Sequence, residues 1–219
     1  MEIIPSINCD SFHCVLERME ISEAIFDKRG VFDPWVHIDI ADGSFTNGYQ
    51  TWTDLGDLHG IERKFKIEVH IMASDPMDLA GLALAQGVER IIVHVESDAD
   101  FNELSRMCKK AGVELMVAIN YNTELNKIYP YLNKKITASA LILSVPPGFS
   151  GQSFQRRAFE KIKKLRSKYP KMIIEVDGGV HPGISGECMR AGASQAVVGS
   201  FLFNEPDPVK AYTALKIAA

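Results

Sequence analysis

Short apolar runs rich in β-branched residues alternate along the chain with longer stretches whose apolar positions recur three and four residues apart. The runs predict strands over Ile3–Asn8, Trp35–Ala41, Lys66–Met72, Arg90–Val95, Glu114–Asn120, Ala138–Val145, Met172–Gly178 and Gln195–Leu202. The longer stretches, such as Asp98–Ala111 and Phe154–Tyr169, predict helices. Strands that alternate with helices pair in parallel through right-handed crossovers. Eight such units in 219 residues close into a (β/α)8 TIM barrel more naturally than they spread into an open sheet. An open doubly wound sheet would need a glycine-rich nucleotide loop after its first strand, where this chain reads Ser6-Ile7-Asn8-Cys9-Asp10. Gly87, Gly112 and Gly192 each stand between a helical stretch and a strand, the place for a left-handed helix end. With no linker or low-complexity segment, residues 1–219 read as one domain.

Composition narrows the function classes. A hydrophobic fraction of 46% and a charged fraction of 24% describe an ordinary globular protein, and a net charge of −4 argues against a nucleic-acid partner. The cluster Lys161, Lys163, Lys164, Arg166 and Lys168 falls in one helical stretch and reads as a solvated helix face. Neither a signal peptide nor a membrane-spanning run is recognisable, so a cytoplasmic location is expected. Cys9, Cys14, Cys108 and Cys188 form no Cys-x-x-Cys pair and are expected as reduced thiols. Cys9, His13 and Cys14 match no structural zinc spacing.

In a barrel of this kind the chemistry sits at the C-terminal ends of the strands. His37 and Asp39 are two residues apart on the second strand and face the same way, while Val36, Ile38 and Ile40 face the helices. His70 follows on the third strand, His94 on the fourth and Asp177 on the seventh. A single strand histidine is most often a satisfied core residue, and Asp42-Gly43 reads as a turn. Two histidines and two aspartates directed into one mouth are different, because unpaired buried carboxylates are costly. One divalent cation would satisfy His37, Asp39, His70 and Asp177 together, and zinc, iron, manganese or cobalt all suit such donors. Glycines at Gly148, Gly151, Gly178, Gly179 and Gly199, beside Phe149, Ser150 and Ser200, allow backbone N–H groups to cradle an anion after the last strands.

These residues resemble the ribulose-phosphate 3-epimerase family nearly end to end. The anchors are Pro5-Ser6-Ile7, His37-Ile38-Asp39, Val69-His70-Ile71-Met72, Pro147-Gly148-Phe149 within Ser144 to Phe154, Glu175-Val176-Asp177-Gly178-Gly179 and Gly199-Ser200. The resemblance implies a metal-dependent, nucleotide-independent epimerase acting on a ketopentose phosphate. It implies His37, Asp39, His70 and Asp177 as metal ligands, with Asp39 and Asp177 also the two acid/base groups. It further implies Ser6 and His70 as sugar contacts, and Gly148 to Gly151, Gly178, Gly179, Gly199 and Ser200 as the phosphate site. Self-association into a homo-oligomer is a family expectation.

The chain departs from the family pattern at Ala41 and Leu143 (usually methionine), at Pro146 and Ser150, and across Ser44-Phe45-Thr46-Asn47-Gly48. All four candidate ligands are retained. Ala41 in place of methionine suggests room for one more carbon, so a ketohexose-6-phosphate epimerase is the alternative within the same chemistry. Related barrels performing aldol or decarboxylation chemistry rank below it because they generally lack the two-His, two-Asp set. A non-catalytic phosphosugar-binding barrel is the alternative of another class.

Overall fold

The computed structural model describes Met1–Ala219. Eight strands close into a parallel barrel in chain order: β1 Glu2–Ile7, β2 Trp35–Ala41, β3 Lys66–Met72, β4 Arg90–His94, β5 Glu114–Ile119, β6 Ser139–Leu143, β7 Ile173–Asp177 and β8 Gln195–Val198. The helices are α1 Phe12–Arg29, α2 Met77–Ala85, α3 Phe101–Ala111, α4 Tyr129–Asn133, α5 Arg157–Lys168, α6 Pro182–Ala191, α7 Ser200–Phe203 and α8 Pro208–Ala218. None is long and apolar enough to cross a membrane. The β2–β3 crossover carries no α-helix. There a single 3-10 turn, Leu55–Leu58, joins Trp52 in filling the outer layer with buried apolar side chains.

Each predicted strand is present, and the ends differ for local reasons. The last strand stops at Val198 instead of continuing to Leu202, because Gly199 breaks the extended path and Ser200–Phe203 turn into α7. α3 begins at Phe101, not Asp98, where the Asp100 carboxylate accepts the N–H groups of Asn102 and Glu103. α5 begins at Arg157, not Phe154, because the Gln155 N–H is drawn to the Ser144 carbonyl at the end of β6. Gly87, Gly112 and Gly192 all take positive φ, as their place between helix and strand requires.

Strand alternation sorts the sequence into two interiors. Outward-facing residues such as Val36, Ile38, Ile67, Val69, Ile91 and Val93 join the helices in a core of 52 buried residues. Inward, Ile92, Met116, Ala118, Leu141 and Leu143 make a small apolar cluster on the β4–β6 side of the barrel. Polar and ionisable side chains share the rest of the interior with Ile4 and Val197. Near its floor Arg90 is 1% exposed, and register places it between Glu68 of β3 and Glu114 of β5. Its guanidinium donates to Glu68 at 2.5 Å, Glu114 at 3.0 Å, Gln195 at 3.2 Å and Glu175 at 3.3 Å, and it stacks on the Trp35 ring. One cation thereby ties β4 to five other strands.

Two sequence expectations are corrected. Cys9 and Cys14 are joined in a disulfide: the tight turn from β1 into the first turn of α1 sets their Cα atoms 5.8 Å apart, within bridging range. Cys108 and Cys188 are free, and burial pushes their thiols up to about 11 and about 12. The basic face of α5 is only partly solvated. Lys161 is half-buried, donates to the carbonyls of Asn120 and Thr123, and burial lowers its pKa to about 8. Arg166 spans the carbonyls of Pro170, Met172 and Gly192 and the Ser194 hydroxyl at 2.7–2.9 Å, pinning the α5–β7 and α6–β8 turns together.

Removing the floor cation takes from the buried carboxyl groups of Glu68 and Glu175 the guanidinium they share. Arg90→Met is therefore expected to destabilise the fold by about 3–5 kcal/mol, seen as a lower urea midpoint; an unchanged midpoint would show that the guanidinium carries none of that load.

Candidate active site

The upper rim of the barrel receives its chemistry from adjoining strands. Register sets Ser6 of β1 beside His37 of β2, and Asp39 beside His70 of β3. Asp39 is the convergence point. Its Oδ2 accepts the Ser6 hydroxyl at 2.9 Å and the Asn8 amide at 3.3 Å. Its Oδ1 lies 3.0 Å from His70 Nδ1 and 3.3 Å from His37 Nε2. Asp177, across the barrel on β7, brings Oδ2 to 3.8 Å from His70 Nδ1.

One donor atom from each of His37, Asp39, His70 and Asp177 lies within 4.8 Å of the other three. Two imidazoles and two carboxylates form a donor set suited to a divalent metal ion. The four converge where no Lys or Arg side chain pairs with either aspartate, so the cluster fits such an ion. A second grouping, His37 with Glu68 and Glu175, is equally close, but there Arg90 already supplies the positive charge. Glu175 Oε1 has no hydrogen-bond partner and lies 3.7 Å from His37 Nδ1, and burial with the neighbouring Glu68 charge holds its carboxyl well above the usual range.

The two aspartates have opposite proton affinities. Burial raises both, but His37 and His70 outweigh it at Asp39 and hold that carboxyl well below the usual carboxylate range. At Asp177 burial dominates, the Asp39 charge adds to it, and the pKa is raised to about 7. Burial lowers His70, whereas at His37 it is outweighed by Asp39 and Glu68, which raise the imidazole well above its ordinary value. The Glu68 carboxylate takes His37 Nδ1 at 2.7 Å and thus fixes Nε2 toward Asp39.

Above this cluster opens a pocket lined by Ser6, Asp39, Gly148, Phe149, Ser150, Gly151, Asp177, Gly178, Gly179, Gly199 and Ser200, all of them expected from sequence. His37 and His70 lie beneath it, fully buried, and meet the site through Asp39. Asn8, Gln152, Val145 and Val197 line the pocket without having been singled out. Asn8 stands two residues after Ser6, so strand alternation carries the signal that it shares the inward face. It holds the mouth together: its amide donates to the Gly148 carbonyl, and the Tyr49 hydroxyl donates to its Oδ1 at 2.6 Å. Tyr49 also packs on Phe149, ring centres 4.3 Å apart. Glu68 and Glu175 were legible in the same way, two residues before His70 and Asp177.

Leu143 lines the pocket, but Ala41 does not. Ala41 is fully buried, with its N–H on the Thr51 hydroxyl and its carbonyl on the Thr51 N–H. Asp42 forms the expected turn, accepting the Ser44 N–H and hydroxyl. No Lys or Arg lines the pocket, whose glycine-rich wall is set by close packing. Gly179 has φ +62°, and a Cβ there would run into the backbone of Phe154 and Gln152. The N–H groups of Gly179 and Ser200 find no backbone acceptor and remain able to donate to a ligand.

Comparison with known proteins identifies the family. The model of the ribulose-phosphate 3 epimerase family matches residues 2–203. The cytoplasmic isoform of ribulose-phosphate 3-epimerase from Oryza sativa subsp. japonica is 30% identical over 184 residues, covering 83% of this chain and 81% of the relative. Ribulose-phosphate 3-epimerase from Aquifex aeolicus is 30% identical over 213 residues, covering 94% and 90%. Among solved structures, 3-hexulose-6-phosphate synthase from Salmonella typhimurium superposes with a TM-score of 0.69 at 14% identity over 100% of this chain and 98% of that one, a likeness of fold alone. With the family model spanning nearly the whole chain and these relatives covering most of it, the protein belongs to the ribulose-phosphate 3-epimerase family and is an epimerase.

Proposed function

We propose that the protein inverts C3 of D-ribulose 5-phosphate to give D-xylulose 5-phosphate, with Asp39 and Asp177 as its two acid/base groups. The observation that carries this reading is the pair of carboxylates, Asp39 from β2 and Asp177 from β7, that line one pocket with their donor atoms in one cluster. Inversion beside a carbonyl needs a base on one face and an acid on the other. Asp39 Oδ2, oriented by Ser6 and Asn8, takes the C3 proton. The C–H electron pair moves into the carbon skeleton and places negative charge on the carbonyl oxygen, forming an enediolate. Asp177 returns a proton to C3 from the opposite face, and the roles reverse for the reverse reaction.

His37, Asp39, His70 and Asp177 would hold one divalent ion, zinc, iron, manganese or cobalt, which when bound supplies positive charge to the developing oxyanion. Glu68 and the floor beneath it keep His37 aimed at the cluster. The phosphate is met by backbone N–H groups of the glycine loops, Gly179 and Ser200 among them, since no basic side chain lines the wall. Tyr49, Asn8 and Phe149 close the mouth and limit water around the reacting carbon.

Incubation with D-ribulose 5-phosphate in D₂O after metal loading is expected to place deuterium at C3 together with D-xylulose 5-phosphate, followed by NMR. Asp39→Asn and Asp177→Asn should each lower turnover by about 10²–10⁴-fold. Exchange should stop on treatment with a chelator and return on adding metal. No exchange with any of the four metals overturns the pentose reading, and exchange with a ketohexose 6-phosphate alone would replace it. Gly179→Ala should raise KM and weaken competitive inhibition by inorganic phosphate; unchanged inhibition would remove that loop from the phosphate site.

A further inference from the structure

One histidine at this rim is used by none of the roles above. His94, at the end of β4, is fully buried, and the Phe45 ring covers it with centres 4.8 Å apart. Its Nε2 lies 2.9 Å from Nε2 of His70, the two rings stacked at 5.0 Å. Its Nδ1 lies 3.3 Å from Glu96 Oε2, and Glu96 Oε1 accepts the Asn120 N–H at 2.9 Å. Both ends of this chain of contacts are polar and fixed.

Hydrogen counting sets its direction. Two imidazole nitrogens at 2.9 Å share one hydrogen, so one donates and the other accepts. His70 turns Nδ1 toward Asp39 and Asp177, so when that nitrogen gives its lone pair to a cation its proton must sit on Nε2. His94 Nε2 must then accept, which leaves the His94 proton on Nδ1. The group facing Nδ1 is a carboxylate, an acceptor only, and its other oxygen is already occupied by a backbone donor. Every link therefore has one allowed sense. On the other side of the cluster His37 has its carboxylate directly, from Glu68. His70 has none within reach of its outer nitrogen, and His94 extends that reach to Glu96.

We propose that His94 and Glu96 are positioning residues that set the His70 tautomer for metal binding, a relay from a carboxylate through one imidazole to the ligand imidazole. The proposal rests on the reading of His37, Asp39, His70 and Asp177 as a metal site. Partners of this kind behind a ligand typically change metal affinity by about 10–100-fold when altered.

Glu96→Gln tests the relay with almost no change of shape. Its carboxamide has one accepting and one donating end, so keeping the Asn120 N–H satisfied turns an NH₂ group toward His94. His94 must then accept at Nδ1 and carry its proton on Nε2, where it opposes the Nε2–H of His70. Zinc affinity measured by chelator competition on the whole protein is expected to fall about 10–100-fold in Glu96→Gln and in His94→Phe, with the circular dichroism spectrum retained. Long-range ¹H–¹⁵N NMR of histidine-labelled, zinc-loaded wild type should show Nε2–H on His70 and Nδ1–H on His94, a result that needs no variant to fold. Nε2–H on His94 in that spectrum, or wild-type zinc affinity in Glu96→Gln, overturns the relay while leaving the metal site standing. Failure of the wild type to bind zinc, iron, manganese or cobalt overturns the metal site and the relay with it.

Discussion

A carboxylate taken out of water costs several kcal/mol unless hydrogen bonds and charge replace the lost solvent, and the upper barrel is organised around meeting that cost at Asp39. Ser6, Asn8, His37 and His70 all turn toward it, from β1, the turn that follows β1, and the two strands β2 and β3. Each partner is itself held from behind: His37 by Glu68, Asn8 by Tyr49, His70 by His94. Asp177 receives no comparable set of donors, and its carboxyl accordingly keeps its proton to higher pH. The difference between the two aspartates is thus a difference in neighbours.

The barrel makes this affordable by dividing its interior. Residues of β4 to β6 fill one side with apolar volume, while the other side carries a column of ionisable groups from the Arg90 floor up through Glu68 and His37 to Asp39. The column is continuous, so a change at the floor reaches the rim through Glu68. Low dielectric strengthens each link and penalises any that is broken. Stability and site geometry here share the same side chains, in contrast to the glycine wall, where backbone packing at Gly179 shapes the pocket without any charge.

Strand alternation, a period of two in the sequence, determined by itself which residues enter the barrel and which face the helices, because successive side chains on a strand must point to opposite sides. That is why the eight strands, the inward pairs His37/Asp39 and Glu68/His70, and the glycine-marked helix ends were legible in the chain. The family resemblance added roles to those inward positions. What only the tertiary structure decided depends on distance across strands that are far apart in sequence: the Arg90 link from Glu68 to Glu175, the contact of His70 with His94, the bridge of Asn8 to Gly148, and the separate proton affinities of Asp39 and Asp177. The Cys9–Cys14 pairing belongs there too, since it follows from how the loop after β1 packs. Periodicity assigns a residue to a face, but register, barrel closure and burial decide which other residues it meets there, and those neighbours set its charge.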